Sequence, residues 1–260
     1  MMNEMKVTSA QLKLIDKLVD HFNQNKKVLS SMIDSLDSYI GHSENLKGLI
    51  HSKKHRIKEP DHLKDKLIRK ADEANKKKKP FVYTKENLFS KITDLAGFRI
   101  IHLHTKQIEQ IDIELRKILE EQRWKIIEGP KARTWDDESR EYFKSIGIKT
   151  LSTPNLYTSV HYIIKPNTKS ALTCEIQVRT LMEEVWGEVD HKINYPHKSE
   201  SISCREQIKA LARVTSSCSR LVDSIFTTHE HEKNRDSKLT SSKSTAKKAV
   251  RKPKKNKESK

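Results

Sequence analysis

Apolar residues recur every three or four positions over much of the chain, which predicts that helices make up a large part of the fold. The clearest run is residues 5–40, where Leu12, Ile15 and Leu18 fall on one side of a long amphipathic helix. A second helix is expected from Pro60, because proline is well tolerated in a first helical turn. The same spacing predicts three further helices, at residues 106–122, 181–193 and 202–226.

Between these helices the pattern changes to β-branched and aromatic residues, which favours strands. Strands are predicted at residues 98–104, 124–127, 157–165 and 172–180. We therefore expect an α+β (mixed α/β) fold, with helices flanking a mixed sheet of about five strands. It would be a single domain with a helical N-terminus and a long C-terminal helix.

Charge is distributed unevenly along the chain. The 260 residues contain 52 Lys and Arg against 35 Asp and Glu, a net charge of +17. Residues 229–260 carry 12 of these cations, four acids and few large apolar side chains, so this tail is expected to be disordered. The tail could hold RNA or another polyanion, or it could be a solvated end. The same alternatives apply to a run of four lysines: Lys76, Lys77, Lys78 and Lys79.

Composition excludes several classes of protein. No run approaches the roughly 18 apolar residues of a membrane span, and the first ten residues are too polar for a secretory signal, so no membrane is expected as a partner. Cys174, Cys204 and Cys218 are far apart, which argues against a disulfide scaffold or zinc site and suits a reducing cytoplasm. The scattered glycines form no phosphate-binding loop, so a phosphate site would have to use side chains and metal.

The strand predicted at residues 172–180 has one apolar and one polar face. Because side chains alternate along a strand, Glu175, Gln177 and Arg179 share the polar face. A carboxylate, an amide and a guanidinium in a row suit a cleft that binds Mg²⁺ or phosphate, or transfers a proton. The pattern also fits a half-exposed strand with a surface ion pair.

Other candidate site residues lie on three further segments. Asp94 precedes the strand that holds Arg99 and could share Mg²⁺ with Glu175, or it could be a turn residue. Tyr157 and His161 share a strand face, where they could stack on and orient a base or simply be buried. Three cations before and along the predicted second helix could contact a purine and phosphate, or belong to a solvated face: Arg56, Lys58 and Lys66.

Five segments, taken in order, resemble the synthetase domain of the RelA/SpoT alarmone family. They are R-I-K followed by Lys66, D-L-A-G-F-R at 94–99, N-L-Y-T-S-V-H at 155–161, E-I-Q-V-R-T at 175–180 and W-x-x-x-D-H-K at 186–192. The match extends over residues 45–195 and is most similar to the small, single-domain members. It implies three regions: an N-terminal helical region at 1–44, a nucleotidyltransferase-like synthetase domain with a C-terminal helix at 45–228, and the basic tail at 229–260.

The family transfers the β,γ-pyrophosphate of ATP to the ribose 3′-hydroxyl of GDP or GTP and releases AMP, and the resemblance implies the same reaction here. By that similarity Arg56 and Arg99 would sandwich the adenine of ATP. Lys58 and Lys66 would hold its phosphates. The metal-dependent hydrolase domain of the longer members has no counterpart in this sequence.

The resemblance also implies roles for the remaining residues. Asp94 and Glu175 would bind Mg²⁺, and Glu175 would take the proton from the attacking hydroxyl group. Five residues would bind the acceptor or complete the cleft: Asn155, Tyr157, His161, Gln177 and Arg179.

Three residues depart from the family pattern, all on the acceptor side. The family usually has Lys and Gly where this chain has Thr153 and Leu156, and some small members have a guanine-contacting Asn at the position of Glu184. Besides GDP or GTP, the acceptor could therefore be the 3′ end of tRNA, as in toxins that stop translation, or adenosine or another nucleotide. A catalytically silent RNA-binding relative is a further alternative. The helices at 5–40 and 202–226 could form a homo-oligomer interface or pack on the sheet.

Overall fold

The computed structural model describes residues 7–153, 156–168, 171–195 and 198–249, with side chains described as far as residue 235. The helices in these ranges are α1 (Ser9–Gly41), α2 (Glu44–Lys47), α3 (Pro60–Lys76), α4 (Leu88–Lys91), α5 (Gln107–Glu121), α6 (Asp137–Ser145), α7 (Leu181–Asn194) and α8 (Ile202–Ala249). The strands are β1 (Ser52–Ile57), β2 (Ala96–His102), β3 (Lys125–Thr134), β4 (Lys149–Ser152), β5 (Ser159–Lys165) and β6 (Cys174–Thr180).

The six strands form one mixed sheet in the order β1-β2-β6-β5-β3-β4. β2 is parallel to β6 and β3 to β4, while the other neighbours are antiparallel. Helices flank this sheet and a long helix ends the described chain, so the predicted α+β class is confirmed, with one strand more than expected.

Alternation along the central strands separates the core from a polar face. On β6, Cys174 and Ile176 are fully buried, and on β2 so is Ile100. These side chains join the apolar residues of α1, α3 and α5 in one core cluster. The intervening residues, Arg99 on β2 and Glu175 on β6, therefore face the opposite side of the sheet, where α7 lies across β2 and β6.

The hydrophobic pattern predicts neither edge strand of the sheet. β1 reads S-K-K-H-R-I and β4 reads K-T-L-S, and no residue of either strand is buried. Edge strands carry little apolar alternation because part of their surface faces water. Arg56 therefore lies on an edge strand, at the position opposite Gly97, and precedes the helix that begins at Pro60, as predicted. Lys66 does lie on α3.

Helix α8 is longer than the pattern predicts. Its apolar spacing ends near residue 226, and the sequence predicts disorder at 229–260, whereas the structure continues the helix to Ala249. The prediction for residues 250–260 lies outside the described residues. The added segment is rich in Lys and contains Ala, both good helix formers, and extending a helix costs less than starting one. No helix in the described part of the chain is long and apolar enough to cross a membrane.

Candidate active site

A polar cleft runs along the sheet face opposite the core and contains two adjoining pockets. The first has a volume of about 260 Å³ and is lined by residues that include Asp94 and Glu175. The second has a volume of about 240 Å³ and is lined by residues that include Tyr157 and Arg179. The two pockets share four lining residues: Arg56, Arg99, Gln177 and His191.

Asp94 lies between two lysines. Lys58 Nζ donates to Asp94 Oδ2 at 2.9 Å, and Lys66 Nζ donates to Oδ1 at 2.8 Å. The Lys58 side chain is only 6% exposed, and its backbone N–H donates to Leu95 O at 2.9 Å, which fixes the chain after β1. Burial would raise the pKa of Asp94, but the two ammonium groups outweigh it and lower the pKa, so the carboxylate is ionised at neutral pH.

Glu175 is held by its neighbours on β5 and β6. His161 Nδ1 lies 2.9 Å from Glu175 Oε1, and Gln177 Nε2 donates to Oε2 at 2.9 Å. Burial and the charge of Asp94 raise the pKa of Glu175, while His161 and Gln177 lower it by more, so this carboxylate is also ionised. His161 Nε2 is buried and has no hydrogen-bond partner within the described residues.

Asp94 and Glu175 are two carboxylates of the cleft that could hold a metal ion. Both are ionised and both line the first pocket. Among the described residues no group of three or more metal-binding side chains occurs. A cation here would therefore need further oxygen ligands from a substrate and water, which is how Mg²⁺ is usually bound beside phosphates.

Glu184, in the first turn of α7, joins the two pockets through its partners. It accepts hydrogen bonds from Lys54 Nζ at 2.8 Å, Arg99 Nη1 at 3.0 Å and Arg179 Nε at 2.6 Å. Arg99 also donates to Glu188 Oε1 at 2.6 Å. Burial would raise the pKa of Glu184, but these cations lower it to about 2.

Aromatic rings form one wall of the second pocket. The Tyr157 ring centroid lies 5.7 Å from that of His161 and 6.2 Å from that of Trp186. The Arg179 guanidinium carbon lies 5.8 Å from the Tyr157 ring centroid. Trp186 is fixed by a hydrogen bond from its Nε1 to Ile208 O at 3.0 Å. This wall presents an aromatic face on which a flat ligand group can stack.

The structure brings the predicted site residues together. Ten of them are described, and each lines the cleft or bonds to a residue that lines it. Asn155 lies outside the described residues. Sequence reasoning missed Lys54 and Glu188 and did not foresee the cations around Glu184. Lys54 and Arg99 lie 130 and 85 positions from Glu184, which leaves no local pattern, and Arg179, five positions away, lies on a strand rather than on the same helix.

Comparison with known proteins identifies the family. Residues 55–200 match the family described as a region found in RelA / SpoT proteins. No curated protein shows significant sequence similarity to the chain.

Several solved structures have a similar fold. A GTP pyrophosphokinase family protein from Streptococcus pneumoniae is 17% identical, with a TM-score of 0.53, and the match covers 87% of this chain and 97% of that one. A Streptococcus mutans protein is 16% identical, with a TM-score of 0.53 and coverage of 84% and 98%. The Bacillus subtilis small alarmone synthetase 1, bound to its product pppGpp, is 16% identical, with a TM-score of 0.50 and coverage of 83% and 96%. Since the sequence match spans more than half of the chain and the fold agrees, this chain belongs to the RelA/SpoT family.

Proposed function

We propose that this protein is a pyrophosphokinase that moves the β,γ-pyrophosphate of ATP to the 3′-hydroxyl of a guanine nucleotide and releases AMP. The proposal rests mainly on one observation: two ionised carboxylates, Asp94 and Glu175, lie in the same cleft as several lysines and arginines. Transfer of this type depends mainly on positioning and on stabilising negative charge, and the cleft supplies groups for both. Family membership supports the same reaction class.

ATP would bind in the first pocket. Arg56 and Arg99 line this pocket from neighbouring strands, and a guanidinium group can stack on a purine face. Lys58 and Lys66, already within 2.9 Å of Asp94, would bind the phosphates as point charges. The triphosphate would therefore lie along the amino ends of β2 and β6.

Mg²⁺ would be held by Asp94 and Glu175, which fit this role because both are ionised oxygen ligands lining one pocket. In the structure both oxygens of Asp94 accept hydrogen bonds from lysines, so a cation would compete with Lys58 and Lys66. The ion would supply stabilisation of phosphate charge.

The proton would go to Glu175. As the 3′-oxygen of the acceptor forms its bond to the β-phosphorus of ATP, the bond between that phosphorus and the oxygen bridging to the α-phosphorus breaks, and AMP leaves. The Glu175 carboxylate takes the hydroxyl proton, while the hydrogen bonds from His161 and Gln177 keep its two oxygens in place.

The acceptor would bind in the second pocket, with its base on the Tyr157 ring. GDP or GTP is the first candidate, and the product complex of the Bacillus subtilis relative of similar fold supports it. The 3′ end of tRNA is the second candidate. The observation that favours it is a group of exposed lysines at the end of α3, the helix that carries Lys66: Lys77, Lys78 and Lys79.

A labelled-transfer assay tests the proposal. The protein is incubated with γ-labelled ATP, Mg²⁺ and, in parallel reactions, GDP, GTP, AMP or deacylated tRNA. Label in guanosine tetra- or pentaphosphate supports the first candidate, and label at the tRNA 3′ end supports the second. Glu175→Gln should lose at least about 100-fold in rate, whereas Glu120→Gln, exposed on α5, should not change it. Absence of transfer to any acceptor would refute the proposed function.

A further inference from the structure

Glu184 stands out because it contacts three strands yet lines neither pocket. Its side chain is 5% exposed. Thr180 caps α7 by accepting a hydrogen bond from the Glu183 N–H at 3.2 Å, which fixes the first turn of the helix. Glu184 follows directly and points toward the sheet, so its position is set by the backbone before any ligand binds.

The three cations bonded to Glu184 belong to different parts of the cleft. Lys54 on β1 lines the first pocket, Arg179 on β6 lines the second, and Arg99 on β2 lines both. Their nitrogens lie 2.6–3.0 Å from the carboxylate oxygens. A single buried carboxylate is therefore bonded to cations that serve both substrates.

A purely structural role would explain this arrangement poorly. Compared with apolar side chains of similar size, buried ion pairs add little stability on average, because removing the charges from water costs about as much as their attraction returns; the loss of one partner alone is costly because it leaves the other charge unpaired. Arginine side chains, by contrast, have many rotamers. A fixed carboxylate restricts the rotamers of Arg99 and Arg179, the side chains that would contact the nucleotides.

Gly187, one turn further along α7, gives independent support. A Cβ atom at this position would lie 2.6 Å from Arg179 Nη1. The helix thus leaves space for the guanidinium group on one side, while Glu184 holds it from the other. Two features of α7 determine where Arg179 lies.

We propose that Glu184 is a positioning residue that orients Arg99 toward ATP and Arg179 toward the acceptor, and so couples the two halves of the cleft. This inference rests on the proposed pyrophosphokinase function. It predicts that loss of the Glu184 charge weakens the binding of both substrates, although Glu184 touches neither.

The test compares Glu184→Gln with Glu188→Gln, whose carboxylate bonds to Arg99 but, among the described residues, to neither Lys54 nor Arg179. KM for ATP, KM for the acceptor found in the labelled-transfer assay, and kcat are measured for each, together with the melting temperature. Glu184→Gln should raise both KM values by about 10-fold or more. Glu188→Gln should raise only the KM for ATP. A folded Glu184→Gln protein with both KM values within twofold of wild type would overturn the proposal.

Glu184→Asp keeps the test decisive if the Gln variant does not fold. It retains the charge but shortens the side chain by one methylene, so it should fold and raise both KM values by a smaller factor, about three- to fivefold. Unchanged KM values in this variant would overturn the proposal.

Binding of a non-hydrolysable ATP analogue, measured by calorimetry, separates this inference from the proposed function. If wild type binds the analogue but transfers pyrophosphate to no acceptor, the proposed function fails. The positioning role of Glu184 is then tested by the affinity for the analogue alone. About 10-fold weaker binding by Glu184→Gln would then support its role, and equal binding would overturn it. If wild type does not bind the analogue, both proposals fail.

Discussion

Glu183 offers a sharp test of the electrostatics around the first turn of α7. Glu183 is 7% exposed and lines another cavity, of about 180 Å³, between α6 and α8. Burial and the charge of Asp136 raise the pKa of Glu183 to about 8, against the opposing effects of Arg179 and the Thr158 N–H. The carboxyl group is therefore protonated in the folded protein at neutral pH. Glu183→Gln replaces it with a neutral group of the same shape.

The sign of the effect follows from proton binding. An unfolded Glu loses its proton near its ordinary pKa of 4.5, whereas the folded protein keeps it up to about 8. Between these values the folded state binds more protons, so the free energy of unfolding falls as pH rises. One pKa unit corresponds to 1.36 kcal/mol, which gives a loss of at most about 5 kcal/mol between pH 4.5 and pH 8. The Gln variant does not undergo this loss.

Urea unfolding of wild type and Glu183→Gln at pH 5 and pH 8 measures the difference. The two proteins should differ by less than about 1 kcal/mol at pH 5, and the variant should be more stable by several kcal/mol at pH 8. Glu184→Gln is the matched control. Because the pKa of Glu184 is lowered to about 2, its charge stabilises the fold above pH 4.5, and its loss should destabilise the protein at pH 8. A Glu183→Gln protein that is less stable than wild type at pH 8, or whose difference does not change with pH, would refute the reasoning.

Three further substitutions test the cleft itself. Asp94→Asn leaves the buried Lys58 without its carboxylate, so the free energy of unfolding in urea should fall by about 3 kcal/mol. The transfer rate in the labelled assay should fall at least about 100-fold. Gly187→Ala should displace Arg179 and raise the acceptor KM several-fold, with little change in calorimetric binding of an ATP analogue. Tyr157→Ala should raise the acceptor KM about 10-fold, whereas Tyr157→Phe, which keeps the ring, should stay within about twofold.

The parts of the fold that the sequence predicts are those with a buried face. The strand at residues 172–180 and the helix at 5–40 carry apolar residues at the period of their structure, and both occur as β6 and α1. Alternation along β6 also predicts that Glu175, Gln177 and Arg179 share the cleft face. β1 and β4 could not be predicted, because neither edge strand has a buried residue to impose a period.

The ionic contacts of the cleft could not be predicted for a different reason. The pair of Arg99 with Glu184 and that of Lys58 with Asp94 join residues 85 and 36 positions apart. Such contacts depend on how α7 and β1 lie against the sheet, and this is a property of the tertiary fold. The family resemblance supplies the residues of the site, but it does not indicate that Glu184 would bond to two of them.

The identity of the acceptor should be visible in the salt dependence of the reaction. Arg99 and Arg179 are already paired with Glu184, so a nucleotide in the cleft displaces few free counterions, and its KM should change by less than about threefold between 50 and 200 mM salt. A tRNA that also contacts Lys77, Lys78 and Lys79 would lose about 20- to 40-fold in affinity over this range, since each phosphate contact releases nearly one counterion. Replacing those three lysines by serine should abolish the steep dependence for tRNA and leave GDP unaffected. A steep dependence that survives the substitution would show that the RNA, if it binds, is held elsewhere.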